Sequence, residues 1–99
     1  MVDQLIPKTY QLAQNYPNPF NPITKIEYEL PKTELISLKI FDIMGREVVS
    51  LVNEVQKPGH KFALWNATNK LGQSVSAGTY IYTIQAGKFR KTKKMVLLK

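Results

Sequence analysis

Apolar and polar residues alternate along most of the chain with a period of two, the pattern of half-buried strands. From Thr24 to Leu30 the apolar positions are Ile26, Tyr28 and Leu30, with Lys25, Glu27 and Glu29 between them and Pro31 closing the run. Ile36, Leu38 and Ile40 alternate with Ser37 and Lys39, and the chain then passes through Asp42-Ile43-Met44-Gly45-Arg46 into Val48–Val52. That is a hairpin signal, with Gly45 suited to the left-handed conformation such a loop demands. Pro58-Gly59 is a turn pair leading into a strand over Lys61–Trp65. A polar loop, Asn66–Gln73, and a short Ser74–Ser76 segment follow. Gly78 opens Thr79–Ala86, where Tyr80, Tyr82, Ile84 and Ala86 share a face opposite Thr79, Thr83 and Gln85. Gly87-Lys88 turns the chain into a last strand, Phe89–Leu98. With a short strand at Tyr10–Gln14, this makes about seven or eight strands, turn signals roughly every 8 to 12 residues, and no useful helical stretch. The pattern predicts an all-β fold, an immunoglobulin-like antiparallel β-sandwich of about seven strands.

Asn15-Tyr16-Pro17-Asn18-Pro19-Phe20-Asn21-Pro22 cannot lie inside a sheet, because its prolines remove amide donors and fix φ. It reads as a stiff, extended loop that Tyr16 and Phe20 fasten to the body of the domain. Residues 1–9 read as a short polar linker with an added start methionine. Asp3, Pro7 and Lys8 interrupt what a secretory signal would need as an unbroken apolar stretch.

At 99 residues and 43% hydrophobic, the chain suits one small domain with one core, with little room for a deep enclosed site. No cysteine is present, which excludes disulfides, thiolate zinc sites and cysteine nucleophiles. Apolar runs such as Met95–Leu98 fall far short of the about 20 residues a membrane-spanning helix needs. The formal net charge of +7 is unevenly placed: residues 1–54 carry five basic groups against seven acids, and residues 55–99 carry nine basic groups and no acid. A cationic half suits nucleic acid, anionic lipid or an acidic protein, or simply keeps the domain soluble.

Catalytic chemistry finds no constellation. His60 is the lone histidine, beside Pro58-Gly59, and reads as a turn or strand-entry residue. Gly72-Gln73-Ser74-Val75-Ser76 misses the nucleophile-elbow motif by its final glycine. The acids show neither paired carboxylates nor calcium-loop spacing. Asn66-Ala67-Thr68 matches a glycosylation sequon but reads as a polar loop. Trp65, Tyr80 and Tyr82 sit on apolar strand faces and read as core. The expectation is a protein that is not an enzyme and needs no cofactor or metal.

The carboxyl end is the candidate functional site. Lys88, Arg90, Lys91, Lys93, Lys94 and Lys99 surround Met95-Val96-Leu97-Leu98. Lysines on an edge strand discourage pairing with another chain. The same edge offers unpaired backbone groups for strand addition by a partner, and the consecutive apolar residues require cover on both faces. Nucleic-acid binding is the weaker option, since no exposed aromatics interleave with the bases.

Five ordered motifs carry a resemblance: Asn15–Pro22, Ile40–Val48, Pro58-Gly59-His60 with Trp65, Ser76–Tyr80, and Lys93–Lys99. Over residues 10–99 they closely resemble the type A C-terminal sorting domain of type IX (Por) secretion, a family similar to the immunoglobulin-like domain of flagellar hook-assembly proteins. The resemblance implies a domain at the end of a larger exported protein, passing through the periplasm and then secreted or attached to the outer-membrane surface. Implied partners are the cargo domain on its amino-terminal side, an outer-membrane shuttle protein and a sortase-like protease, with no nucleic acid. It maps the secretion signal onto Lys93, Lys94, Met95, Val96, Leu97, Leu98 and Lys99, and leaves Gly78 and Tyr80 structural. One departure stands out: relatives commonly carry Asp-Gly after the tryptophan and a later Asp, where this chain has Asn66-Ala67 and Asn69. That loop is therefore a poor place for a cation. The rival expectations are an accessory binding or adhesion sandwich, for carbohydrate or protein, and a module that self-associates through its edge strand.

Overall fold

Alternating segments become strands because one face of each can be buried while the other stays wet. A computed structural model of the chain, describing residues 6–99, shows antiparallel strands throughout and no helix among the described residues. Residues 1–5 of the expected linker, with Met1, lie outside the described residues. The strands are β1 (Gln11–Leu12), β2 (Thr24–Leu30), β3 (Glu34–Asp42), β4 (Glu47–Gln56), β5 (Gly59–Trp65), β6 (Gly78–Ala86) and β7 (Phe89–Leu97). They form a three-stranded sheet in the order β1-β2-β5 and a four-stranded sheet in the order β4-β3-β6-β7. The expected immunoglobulin-like sandwich of about seven strands is the fold found.

The core lies between the sheets. Ile26, Tyr28 and Leu30 of β2 meet Ile36, Leu38 and Ile40 of β3 and Tyr82 and Ile84 of β6 in one buried cluster. Trp65 is buried at the end of β5, with Tyr80 edge-on at 5.3 Å and Phe20 tilted against it at 5.8 Å. These aromatics are core, as their strand positions predict. Each such side chain contributes roughly 1.5–3 kcal/mol through burial.

β4 extends well past its apolar stretch, and its register against β3 shifts twice, between Leu38 and Lys39 and between Ile40 and Phe41. Each shift is a bulge that places an extra residue on β4. Val48, Val49, Leu51 and Val52 thereby all pack against the core, which strict alternation would forbid. One expectation needs correction. The first strand, expected over Tyr10–Gln14, is confined to Gln11–Leu12, and the Ser74–Ser76 segment makes only an isolated bridge, from Ser74 to Thr68.

The proline loop is fastened at one aromatic rather than two. Phe20 is buried, whereas Tyr16 is 78% exposed. Tyr16 instead holds through its backbone, exchanging N–H···O bonds of 2.9 Å in both directions with Lys25. Beside it, buried Asn15 donates through Nδ2 to Thr24 Oγ1 at 2.9 Å, and Thr24 Oγ1 donates to the Pro17 carbonyl at 2.8 Å. Buried polar groups cost stability unless paired, and these are paired.

Candidate functional site

β7 is the outermost strand of the four-stranded sheet, paired with β6 from Ala86↔Phe89 to Gly78↔Leu97. Alternation sorts the candidate residues by face. Met95 and Leu97 point into the sandwich and are fully buried, at 0% and 1% exposure, and Lys93 on the same face is half-buried. Val96 is half-buried on the outer face, Lys94 is exposed there, and Leu98 is 51% exposed just beyond the strand. Lys99 is exposed. The tail therefore divides into an inward anchor and an outward surface of Lys94, Val96 and Leu98, with Lys99 exposed beyond them. The expected cover on both faces is present on one only.

The expectation of an open backbone edge also needs correction. Along an antiparallel edge strand, alternate residues aim N–H and C=O away from the sheet. On β7 these are the even positions, and the proline loop takes several of them. Asn18 Oδ1 accepts the Val96 amide at 3.0 Å, the Val96 carbonyl accepts the Phe20 amide at 3.0 Å, and the Leu98 amide donates to the Phe20 carbonyl at 2.8 Å. Gln14 Nε2 donates to the Lys94 carbonyl at 2.7 Å. The stretch from Lys94 to Leu98 is therefore occupied along its edge. The outward backbone groups of Arg90 and Thr92 find no backbone or side-chain partner among the described residues.

Two residues outside the tail join its outer face. Phe41 pairs with Ile81, Ile81 with Lys94, and Thr79 with Val96. Ile81 is thus diagonal to Val96 on one face, within the about 7–8 Å at which larger side chains touch. Phe41 and Ile81 are half-buried, and both occupy the phase of their strands where a polar residue belongs. That breach of alternation is the signal by which sequence reasoning could have found them.

Electrostatics set the tail apart. The ion pairs among the described residues join Lys25 to Glu27, Lys32 to Glu34, Lys39 to Glu47 and Arg46 to Asp42. None involves a tail base. Elsewhere, His60 sits in the first residues of β5, its Nδ1 3.4 Å from Glu29 on β2. Asn69 Oδ1 accepts the amides of Leu71 at 2.9 Å and Gln73 at 3.0 Å, so a side-chain amide closes the loop. Among the described residues no cluster of three or more histidine or acidic groups could hold a metal ion.

Comparison with known proteins agrees with this architecture. Residues 14–98 match the family model described as secretion system C-terminal sorting domain. Among solved structures, dimeric latent PorU from Porphyromonas gingivalis superposes with a TM-score of 0.70 at 19% identity, over 88% of this chain and 9% of that one. PorZ from the same organism, described as an essential bacterial surface component of the type IX secretion system, gives 0.61 at 23% identity, over 87% and 11%. FlgD from P. aeruginosa gives 0.59 at 21% identity, over 75% and 58%. At these identities the structures establish the fold, and the chain spans about a tenth of the length of the first two. No match is found among curated proteins. The family match extends over β2 to β7 and all but the last residue of the tail, and on it the chain belongs to the secretion system C-terminal sorting domains, the carboxy-terminal sorting signal of type IX (Por) secretion.

Proposed function

We propose that this chain is the non-enzymatic address of a larger exported protein, its signal spanning Lys93, Lys94, Met95, Val96, Leu97, Leu98 and Lys99, with Met95 and Leu97 as the buried anchor. Residues 10–99 are the folded unit, residues 1–9 link it to the cargo, and the cargo domain lies on the amino-terminal side. The parent crosses the periplasm, and its readers are an outer-membrane shuttle protein and a sortase-like protease that leaves the cargo secreted or attached at the cell surface. The carrying observation is the split within the tail. Met95 and Leu97 lock β7 into the core, while Leu98 and Lys99 extend past the ladder into solvent, available to a reader while the domain stays folded. The match to secretion system C-terminal sorting domains supports this reading.

The test fuses the whole chain behind a signal peptide and a fluorescent cargo in a type IX-competent host. Surface delivery is expected with the chain and absent without it. Removing Leu98 and Lys99 alone spares the buried anchor and is expected to abolish delivery. Undiminished delivery of that shortened form would count against a tail-borne signal.

The carbohydrate-binding rival loses its best platform, because Trp65 is buried.

A further inference from the structure

The tail offers a reader few routes. Met95 and Leu97 are buried, and the backbone edge from Lys94 to Leu98 is taken by Gln14, Asn18 and Phe20. What remains is the outer face of the sheet. There Val96 and Leu98 are continuous with Ile81 and, through the Phe41↔Ile81 pair, with Phe41 on β3. An apolar strip on a solvent-facing sheet marks an interaction surface when it is contiguous and rimmed by charge. The rim here is Lys94 and Lys99, neither in an ion pair among the described residues, and at the Phe41 end Glu47, which is paired with Lys39.

Building on the sorting assignment, we propose that Phe41, Ile81, Val96 and Leu98 form one docking surface for a protein partner with an apolar centre ringed by carboxylates. The sorting signal is thus composite: half of its apolar contact comes from β3 and β6, far from the carboxyl end in sequence. Charge decides the occupant. The acid beside the strip, Glu47 opposite Phe41, is engaged by Lys39 at 3.4 Å, and residues 55–99 contain no acid, so two copies meeting through this face would oppose lysine to lysine, whereas an acidic rim on a partner complements both. Leu35 and Val55, a cross-strand pair at the opposite end of the same face, are exposed and separated from the strip by Ser37, Lys39 and Thr83. They form a natural control.

The experiment uses the whole-chain cargo fusion in the type IX-competent host. Phe41→Thr with Ile81→Thr, and separately Val96→Thr with Leu98→Thr, are each expected to cut surface delivery at least tenfold. Leu35→Thr with Val55→Thr is expected to stay within twofold of the parent. Thr79→Glu places a carboxylate beside Val96 from an exposed position that contributes nothing to the core, so it tests the face with the fold intact. It too is expected to cut delivery at least tenfold, as is Lys94→Glu with Lys99→Glu. Normal delivery of the Phe41/Ile81 or the Thr79 variant, with delivery lost when Leu98 and Lys99 are removed, would overturn the composite surface and leave the sorting assignment standing. Normal delivery of the Lys94/Lys99 variant would overturn the acidic partner. With purified chain, a dimer dissociated by Thr79→Glu, or binding to phosphatidylglycerol vesicles abolished by it, would assign the face to a second copy or to lipid and overturn the proposal.

Discussion

Phe20 runs parallel to Leu97, its amide donating to the Val96 carbonyl at 3.0 Å and its carbonyl accepting the Leu98 amide at 2.8 Å. The proline loop thereby supplies a short surrogate strand to an edge that would otherwise stand open at the signal itself. Proline-rich backbone has few donors to give, so the loop uses what it has: the one amide of Phe20, its carbonyl, and the side chain of Asn18.

The clamp and the core are separable by mutation. Asn18→Ala removes the acceptor of the Val96 amide at an exposed site and is expected to cost about 1 kcal/mol. Phe20→Ala empties a buried site against Trp65 and is expected to cost roughly 3–5 kcal/mol. Urea unfolding gives both values. Amide exchange gives the sharper check: Val96 is expected to exchange faster in Asn18→Ala while the Met95 amide, bonded within the sheet, is unchanged. Equal protection of Val96 in parent and variant would show that the clamp does not hold the tail.

Tyr82 is a second tie between the loop and the large sheet. Its hydroxyl donates to the Ala13 carbonyl and accepts the Asn15 amide, both at 2.8 Å. Tyr82→Phe leaves two backbone groups unpaired and is expected to cost about 1–3 kcal/mol at neutral pH. Burial pushes the Tyr82 hydroxyl up to about 12 from an ordinary 10.0. The folded chain therefore holds this proton after the unfolded chain has released it. The contribution is complete below pH 10.0 and is lost as pH rises toward about 12. The stability gap between parent and Tyr82→Phe is expected to be constant up to pH 9 and to shrink through pH 10–12. A gap that stays constant to pH 12 would contradict the assignment.

Much of this architecture can be read from alternation alone. β2 coincides with its period-two run, and Ile36, Leu38 and Ile40 face inward as their spacing requires. What escaped was contact between elements distant in sequence. Asn18 and Val96 are 78 positions apart, and no local pattern marks a side chain as acceptor for a strand that far away. The same holds for Tyr16 and Phe20, two aromatics of equal promise in one loop: which is buried depends on where Trp65 lies in space. The β4 bulges are half-hidden: the apolar pairs Val48-Val49 and Leu51-Val52 break alternation, but a bulge is a mismatch between two strands and its place cannot be read from one alone. Of the candidate site, the inward anchor was legible as apolar content. Its outer neighbours Phe41 and Ile81 were legible only as exceptions to alternation.

The β3–β4 hairpin loop depends on one carboxylate. Asp42 Oδ1 accepts the amides of Met44 at 2.9 Å and Arg46 at 3.0 Å, and Oδ2 accepts from Arg46 Nε at 2.9 Å. The Arg46 amide first, with its guanidinium and the Met44 amide in support, holds the Asp42 carboxyl below its ordinary value of 3.8. A depressed carboxylate stabilises the fold above the ordinary value, and that contribution fades as pH falls through the lower folded one. NMR titration is expected to place the Asp42 midpoint below 3.8, and Asp42→Asn is expected to weaken that part of the acid sensitivity. A midpoint at or above 3.8 would mean the loop bonds do not persist in solution.

The unoccupied part of the β7 edge carries its own protection. Arg90 and Thr92 aim backbone groups outward, where a second copy could pair through them. Antiparallel pairing of two copies centred on Thr92 would set Arg90 against Lys94, and Lys91 against Lys93, on both sides of the two-fold axis. Like charges placed directly opposite destabilise a ladder, each pair by a few tenths of a kcal/mol to about 1 kcal/mol. No acid follows Glu54 in the chain to offset them. The purified chain is therefore expected to sediment as a monomer at low salt, and Arg90→Thr with Lys91→Thr and Lys93→Thr to dimerise with rising concentration. Thr92→Pro in that background removes the central amide donor and is expected to restore the monomer. Salt separates charge from shape: screening at 1 M shortens the reach of these repulsions to about 3 Å, so the parent is expected to move toward the variant's behaviour there. Should the triple variant remain monomeric at the highest soluble concentration, the bases on this stretch serve something other than keeping copies apart.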